Sequence, residues 1–168
     1  ASGGNHGIAV ATASRELRLE AHVFVPASAP AEKVRRIVAA GGNVRVIDGP
    51  FTEAAAEFAR FAENDDALLV HPFDDPAVIS GQGTLALELI EQLPDVSKVV
   101  VAVGGGGFAA GVATALAGKA ELVAVEPEQC PTLAAALDAG VPVDVHVGGV
   151  AVDSLGAPKV GSLPFDVL

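Results

Sequence analysis

The stretch VVVAVGGGGF, residues 99–108, joins a valine-rich run to four consecutive glycines. A run of β-branched residues with no polar interruption is typical of a strand buried on both faces of a parallel sheet. The residues from Phe108 to Ala117 then have a helical pattern. A buried strand leading directly into a helix predicts an α/β fold with parallel strands and right-handed crossovers.

The four glycines, Gly104 to Gly107, predict an anion site at this strand–helix junction. Glycine lets the backbone turn sharply, so that successive amides and the positive end of the following helix point at one anion. A plain turn is the alternative. Ordering four consecutive glycines costs more conformational entropy than ordering other residues, and a plain turn does not need all four. No Lys-Ser/Thr follows, and the GxGxxG spacing is absent, so the sequence favours the phosphate of a small cofactor over that of a nucleotide.

Helical and strand patterns alternate on both sides of this loop. We predict strands at 22–25, 44–47, 68–71, 98–103, 122–125 and 143–147, and helices at 7–19, 31–40, 52–63, 83–93, 108–117 and 133–137. The fold class is therefore α/β, with two lobes of mostly parallel sheet flanked by helices. Prolines and acidic residues interrupt the pattern at 71–76, so we place a small lobe at 1–73 and part of a large lobe at 74–168.

Composition excludes several functional classes. The net charge of −11 argues against nucleic acid and against an anionic membrane surface, since both bind clustered Lys and Arg. No apolar run is long enough for a transmembrane helix. The single cysteine, Cys130, excludes an internal disulfide and fits a cytoplasmic location. We interpret it as a small buried residue rather than a nucleophile.

A second glycine-rich segment, SGGNHG at 2–7, precedes a predicted helix. Its glycines and the helix N-terminus suit a carboxylate, and Asn5 can both donate and accept toward a ring oxygen. Helix capping by Ser2 or Asn5 is the alternative. A third segment, residues 74–84, is equally well explained as a turn and helix cap or as a ligand contact.

Five segments occur in the order and at the separations of one enzyme family: SGGNHG (2–7), HPFDDPAVISGQGTLALEL (71–89), VVVAVGGGGFAAG (99–111), VAVEP (123–127) and GGVAVDSLG (148–156). Together they resemble the fold type II pyridoxal-phosphate (PLP) enzymes, the tryptophan synthase β-like family. The resemblance is to the threonine/serine dehydratase branch, which includes serine racemase. It implies PLP as cofactor, a small amino-acid substrate and a homo-oligomeric enzyme.

The resemblance also implies roles for individual residues. Gly104, Gly105, Gly106, Gly107 and Phe108 match the loop whose amides bind the PLP phosphate. Asn5 matches the asparagine that contacts the pyridine 3′-oxygen. Ser2, Gly3 and His6 match the loop that holds the substrate carboxylate. Glu126 matches an acid that ligates a divalent cation in some members, although its completing acid is not evident and a solvated strand-end carboxylate explains it equally well.

The lysine that carries the cofactor has no counterpart here. In the family it lies in a Ser-x-Lys segment upstream of the first loop, and the four lysines of this chain stand in no such segment, namely Lys33, Lys98, Lys119 and Lys159. We therefore expect an internal fragment that lacks the Schiff-base lysine and is inactive by itself.

Gly3 favours one reaction over another. Racemases of this branch have a serine at that position, which acts on the cofactor face opposite the lysine. Racemisation needs proton exchange on both faces, whereas β-elimination needs one base. We expect elimination of a hydroxy amino acid to a 2-oxo acid and ammonia. Serine racemase, another type II lyase or synthase, and a non-catalytic phosphate-binding module remain alternatives.

Overall fold

Two parallel strand pairs organise the structure, a computed structural model that describes residue 2 and residues 4–49, 51–64 and 67–168. The chain forms two compact units, Ala1–Val70 and His71–Leu168. This division lies three residues before the boundary that we placed after residue 73. Within the described ranges, no helix combines the length and apolar character needed to cross a bilayer.

The first unit contains three helices and one strand pair: α1 Asn5–Glu16, β1 His22–Pro26, α2 Ala31–Ala39, β2 Asn43–Ile47 and α3 Phe51–Asn64. The strands are parallel, with Val23 opposite Val44. Val23, Val25 and Ile37 form its core with small alanines from α1 and the loops. The first turn of α1 approaches this core closely, since a Cβ on Gly7 would lie 3.0 Å from Val23 Cγ1.

The second unit carries the remaining elements: α4 Pro76–Gln92, β3 Lys98–Ala102, α5 Gly107–Leu116, β4 Glu121–Val125, α6 Thr132–Ala139, α7 Val152–Leu155 and α8 Ser162–Val167. β3 and β4 pair in parallel, as predicted, with Val100 opposite Val123. α4 packs tightly on α5 because a Cβ on Gly111 would come within 2.3 Å of the Ile79 carbonyl oxygen. This contact sets the position of α5, and with it the glycine loop.

β3 differs from the expectation of burial on both faces. Val101 is 3% exposed, whereas its neighbour Val100 is 68% exposed. The part of the chain that the structure describes therefore covers only one face of this strand. The valine run predicts that both faces of the strand can be buried, but it does not say whether helices are present to cover both.

Two predicted strands are not formed, and one helix is longer than predicted. Residues 68–71 and 143–147 have no strand geometry. Leu68 is 88% exposed, and Val145 makes an isolated backbone bond to Pro158. α4 begins at Pro76 instead of residue 83 because Asp75 Oδ1 accepts the amides of Ala77 and Val78, at 2.8 and 3.0 Å.

Candidate functional site

The glycine loop lies between the end of β3 and the start of α5. Gly106 has a φ of 91°, in the left-handed region that favours glycine, and it is the N-cap of α5. Gly107 is the first residue of the helix. The chain thus passes from strand to helix through four residues, 103–106, and the amides of the loop gather at the positive end of α5.

The amides of residues 104–108 are available to a ligand. No described residue accepts a hydrogen bond from any of these five N–H groups. The loop joins the hydrogen bonding of α5 through a carbonyl, since Ala110 N donates to Gly106 O at 2.9 Å. Unpaired successive donors at a helix N-terminus suit an oxyanion with several acceptor oxygens, such as a phosphate.

Close packing explains why this loop is made of glycine. A Cβ on Gly105 would lie 2.3 Å from two ring atoms of Phe73, and one on Gly107 would lie 2.5 Å from the Phe73 carbonyl oxygen. A Cβ on Gly106 would lie 2.8 Å from Pro164 Cβ. Side chains are therefore excluded from these three positions of the loop. Phe108, the first residue with a side chain, is 38% exposed.

Three residues that support this loop were missed by the sequence reasoning. Gly161 N donates to Gly105 O at 3.0 Å. Asp74 accepts the amides of Ser162 and Leu163, at 3.1 and 2.9 Å, and so caps α8. Phe73 and Asp74 lie in one of the five segments that resemble the family, at 71–89, so the sequence contained a signal for them. Gly161 lies in none of these segments.

Ser2 organises the SGGNHG segment in the first unit. Its Oγ accepts the amides of Gly4 and Gly7, both at 3.2 Å, and its own amide donates to Phe24 O at 2.9 Å. The capping alternative therefore applies to Ser2. Among the described residues, none accepts its hydroxyl proton, and the contact with a substrate carboxylate stays a prediction. Gly3 lies outside the described residues.

Asn5 and His6 differ in the hydrogen bonds that their side chains already make. Asn5 is the exposed first residue of α1, and no described residue bonds its side-chain amide. His6 Nε2 lies 3.1 Å from Val70 O, where the ring nitrogen donates because a carbonyl can only accept. Asn5 is thus free to meet a ring oxygen, while His6 ties α1 to Val70.

His71 acts as a hydrogen-bond acceptor. Its Nδ1 accepts the amides of Phe73 and Asp74, at 3.3 and 2.7 Å. Burial lowers the pKa of His71 below its usual 6.5, although the carboxylate of Asp74 acts in the opposite direction. The imidazole is therefore neutral at pH 7, which keeps the Nδ1 lone pair available.

Glu126 has a structural partner in place of a cation. Its two carboxylate oxygens accept the amides of Leu133 and Ala134, at 2.6 and 2.9 Å, and so cap α6. Across the described ranges, no three His, Cys, Asp or Glu side chains gather as metal ligands. These residues do not fit a cation site. Cys130 is fully buried, as predicted, with its Sγ 3.4 Å from Gly148 O.

Comparison with known proteins identifies the family. A family model described as pyridoxal-phosphate dependent enzyme matches residues 1–168. The chain belongs to this family of PLP enzymes. The loop of residues 104–108 fits the cofactor, since five successive amides with no acceptor among the described residues are a donor set that suits a phosphate.

The chain is similar to threonine dehydratases and to a serine racemase. It is 38% identical over 168 residues to the biosynthetic L-threonine dehydratase of Haemophilus influenzae, covering 98% of this chain and 33% of that relative. The processed threonine deaminase isoform 2 of Solanum lycopersicum matches with a TM-score of 0.90 and 35% identity, over 98% of this chain and 49% of that one. Maize serine racemase matches with 0.92 and 34%, over 99% and 51%. The α/β prediction and the family resemblance are thus confirmed.

Proposed function

We propose that this chain is the substrate- and phosphate-binding part of a PLP-dependent threonine/serine dehydratase. The reaction removes the β-hydroxyl of a hydroxy amino acid and yields a 2-oxo acid and ammonia. One observation carries the proposal: five unpaired amides at residues 104–108 stand at the N-terminus of α5 in a chain of this family. The names of its relatives support threonine as the substrate.

The glycine loop is the anchor of the proposed site. Its amides supply hydrogen bonds to a dianionic phosphate without bringing in a positive side chain, and charge-assisted bonds of this kind contribute about 1.5–3 kcal/mol each. Because Phe73 and Pro164 hold the loop, the phosphate position is set before the cofactor arrives. A cofactor fixed at its phosphate presents its reacting carbon at a defined point.

The SGGNHG segment supplies the substrate contacts in this proposal. The Ser2 hydroxyl has a proton left to donate, and the positive end of α1 favours a carboxylate. Asn5 donates to the ring oxygen of the cofactor from an exposed position. His6 holds α1 against Val70 and so positions the segment. PLP, when bound, supplies an electron sink for the charge that develops at the substrate Cα.

Location and assembly are proposed from composition and from the family resemblance. A cytoplasmic enzyme fits the single, fully buried Cys130 and a composition without disulfides. A homo-oligomer is implied by the family resemblance. The net charge of −11 supports a small-molecule substrate over nucleic acid or an anionic membrane surface as partner.

The full-length protein with PLP and L-threonine tests the proposal. We expect release of 2-oxobutanoate, measured by coupled oxidation of NADH. Gly105→Ala should lower the apparent affinity for PLP at least about tenfold, because its methyl group displaces the loop from Phe73. Gly81→Ala is the matched control, since a Cβ at Gly81 meets nothing within 4 Å. Normal PLP affinity in Gly105→Ala would remove the loop from the proposed site.

Serine racemase is the second candidate, favoured by the TM-score of 0.92 to the maize enzyme. Gly3 argues against it, because the family's racemases have serine there to exchange a proton on the second face. Chiral chromatography of L-serine incubations separates the two activities. D-serine without any keto acid would establish the racemase and exclude the dehydratase.

A further inference from the structure

The turn from His71 to Asp74 contacts the glycine loop from more than one side. The Phe73 ring and main chain fill the space in which Gly105 and Gly107 would carry side chains, with distances of 2.3 and 2.5 Å to the added Cβ atoms. The Asp74 carboxylate caps α8, and Gly161, which precedes that helix, donates to Gly105 O. We infer that His71 and Phe73 are positioning residues that hold the loop amides in their phosphate-binding orientation.

The hydrogen bond from Gly161 explains how one amide is aimed. In a planar trans peptide, the carbonyl of Gly105 and the N–H of Gly106 point in opposite directions. Gly161 N holds that carbonyl at 3.0 Å. The Gly106 N–H is therefore directed away from Gly161. Any shift of α8 would rotate this peptide plane.

His71 is the residue that shapes the turn itself. Its Nδ1 accepts both amides of the turn, those of Phe73 and Asp74. Its ring also packs edge-on against the Phe73 ring, with centroids 4.7 Å apart and planes at 80°. The histidine thus orients the Phe73 ring toward Gly105 and the Asp74 carboxylate toward α8. No atom of His71 has to touch the phosphate for this effect.

The inference rests on the proposed phosphate role of residues 104–108. Its test is the ratio of PLP affinity to pyridoxal affinity in the full-length protein, measured by titration of the absorption band of the lysine-bound cofactor. Pyridoxal lacks the phosphate, so its affinity does not depend on the loop. We expect His71→Leu to lower the ratio about tenfold, since two hydrogen bonds that shape the turn are lost. Pyridoxal affinity should stay unchanged.

His71→Asn is the conservative rescue. The asparagine oxygen occupies a position close to Nδ1 and accepts the same amides without titrating. We expect its ratio to stay within about threefold of the unmodified protein. His146→Leu is the matched control, because it makes the same change at an exposed histidine of the same unit. Equal losses in His71→Asn and His71→Leu would overturn the role of the acceptor.

Phe73→Leu provides an independent route if His71→Leu does not fold. It keeps an apolar side chain but removes the flat ring beneath Gly105, and we expect the ratio to fall severalfold. A protein that binds PLP no better than pyridoxal would refute the phosphate site itself. A clear preference for PLP that persists in both His71→Leu and Phe73→Leu would refute only the positioning role.

Discussion

The hydrogen bonds that His71 accepts depend on the protonation state of its imidazole. Its Nδ1 accepts two amides and must stay unprotonated to do so. Burial lowers its pKa below 6.5, and the nearby carboxylates of Asp74 and Asp75 only partly oppose this shift. The unfolded chain therefore binds more protons than the folded chain between the lowered pKa and about 6.5.

This difference predicts a pH dependence of stability. The free energy of unfolding should be highest above about pH 6.5 and should fall as the pH falls toward the lowered pKa of His71. Urea titrations from pH 5 to 8 would measure it. The difference between the unmodified protein and His71→Asn isolates His71 from the other histidines. An identical slope in both proteins would show that His71 does not contribute.

At the scale of elements, three carboxylates cap the N-termini of three helices in the second unit. Asp75 caps α4, Glu126 caps α6 and Asp74 caps α8. Each anion meets the positive end of a helix and satisfies amides that have no partner inside it. Part of the acidic excess of the chain is therefore structural. Within the segment of residues 74–84, Asp74 and Asp75 act as caps, and the ligand contact stays a prediction.

The cap on α6 can be measured separately from any cation. Glu126→Ala should reduce the free energy of unfolding by about 1–2 kcal/mol and speed hydrogen exchange at the Leu133 and Ala134 amides. Glu126→Gln should recover part of the loss, because one oxygen is kept. Glu128→Ala, at an exposed neighbour, should change stability by less than about 0.5 kcal/mol. Stability that depends on a divalent cation instead would restore the metal-site prediction.

At the scale of the whole molecule, the outcome of the reaction depends on which faces of the substrate meet an acid or base. Elimination needs one base, and racemisation needs groups on both faces. The chain spans about a third of the length of the first curated relatives that it matches. Gly3 is the position in this chain that bears on the choice.

Gly3→Ser in the full-length protein should therefore add a racemase activity. We expect D-serine to appear from L-serine beside pyruvate, because the new hydroxyl can exchange a proton on the second face. Gly4→Ser is the control, since a Cβ at Gly4 meets nothing within 4 Å and the hydroxyl stands one residue further along. Equal D-serine formation in both variants would contradict the role of this position.

The sequence by itself determined the two parallel strand pairs and the glycine loop at 104–108. A strand, a helix and a second strand that follow one another closely predict a parallel pair, and the glycine run is read directly from adjacent residues. Only the tertiary structure decided the rest. Residues 68–71 and 143–147 have strand-like composition, but a strand also needs a neighbour to share its hydrogen bonds. The packing of Phe73 under Gly105 and the cap that Asp74 forms on α8 join residues distant in sequence. No local pattern encodes such contacts, because they exist only once the chain has folded.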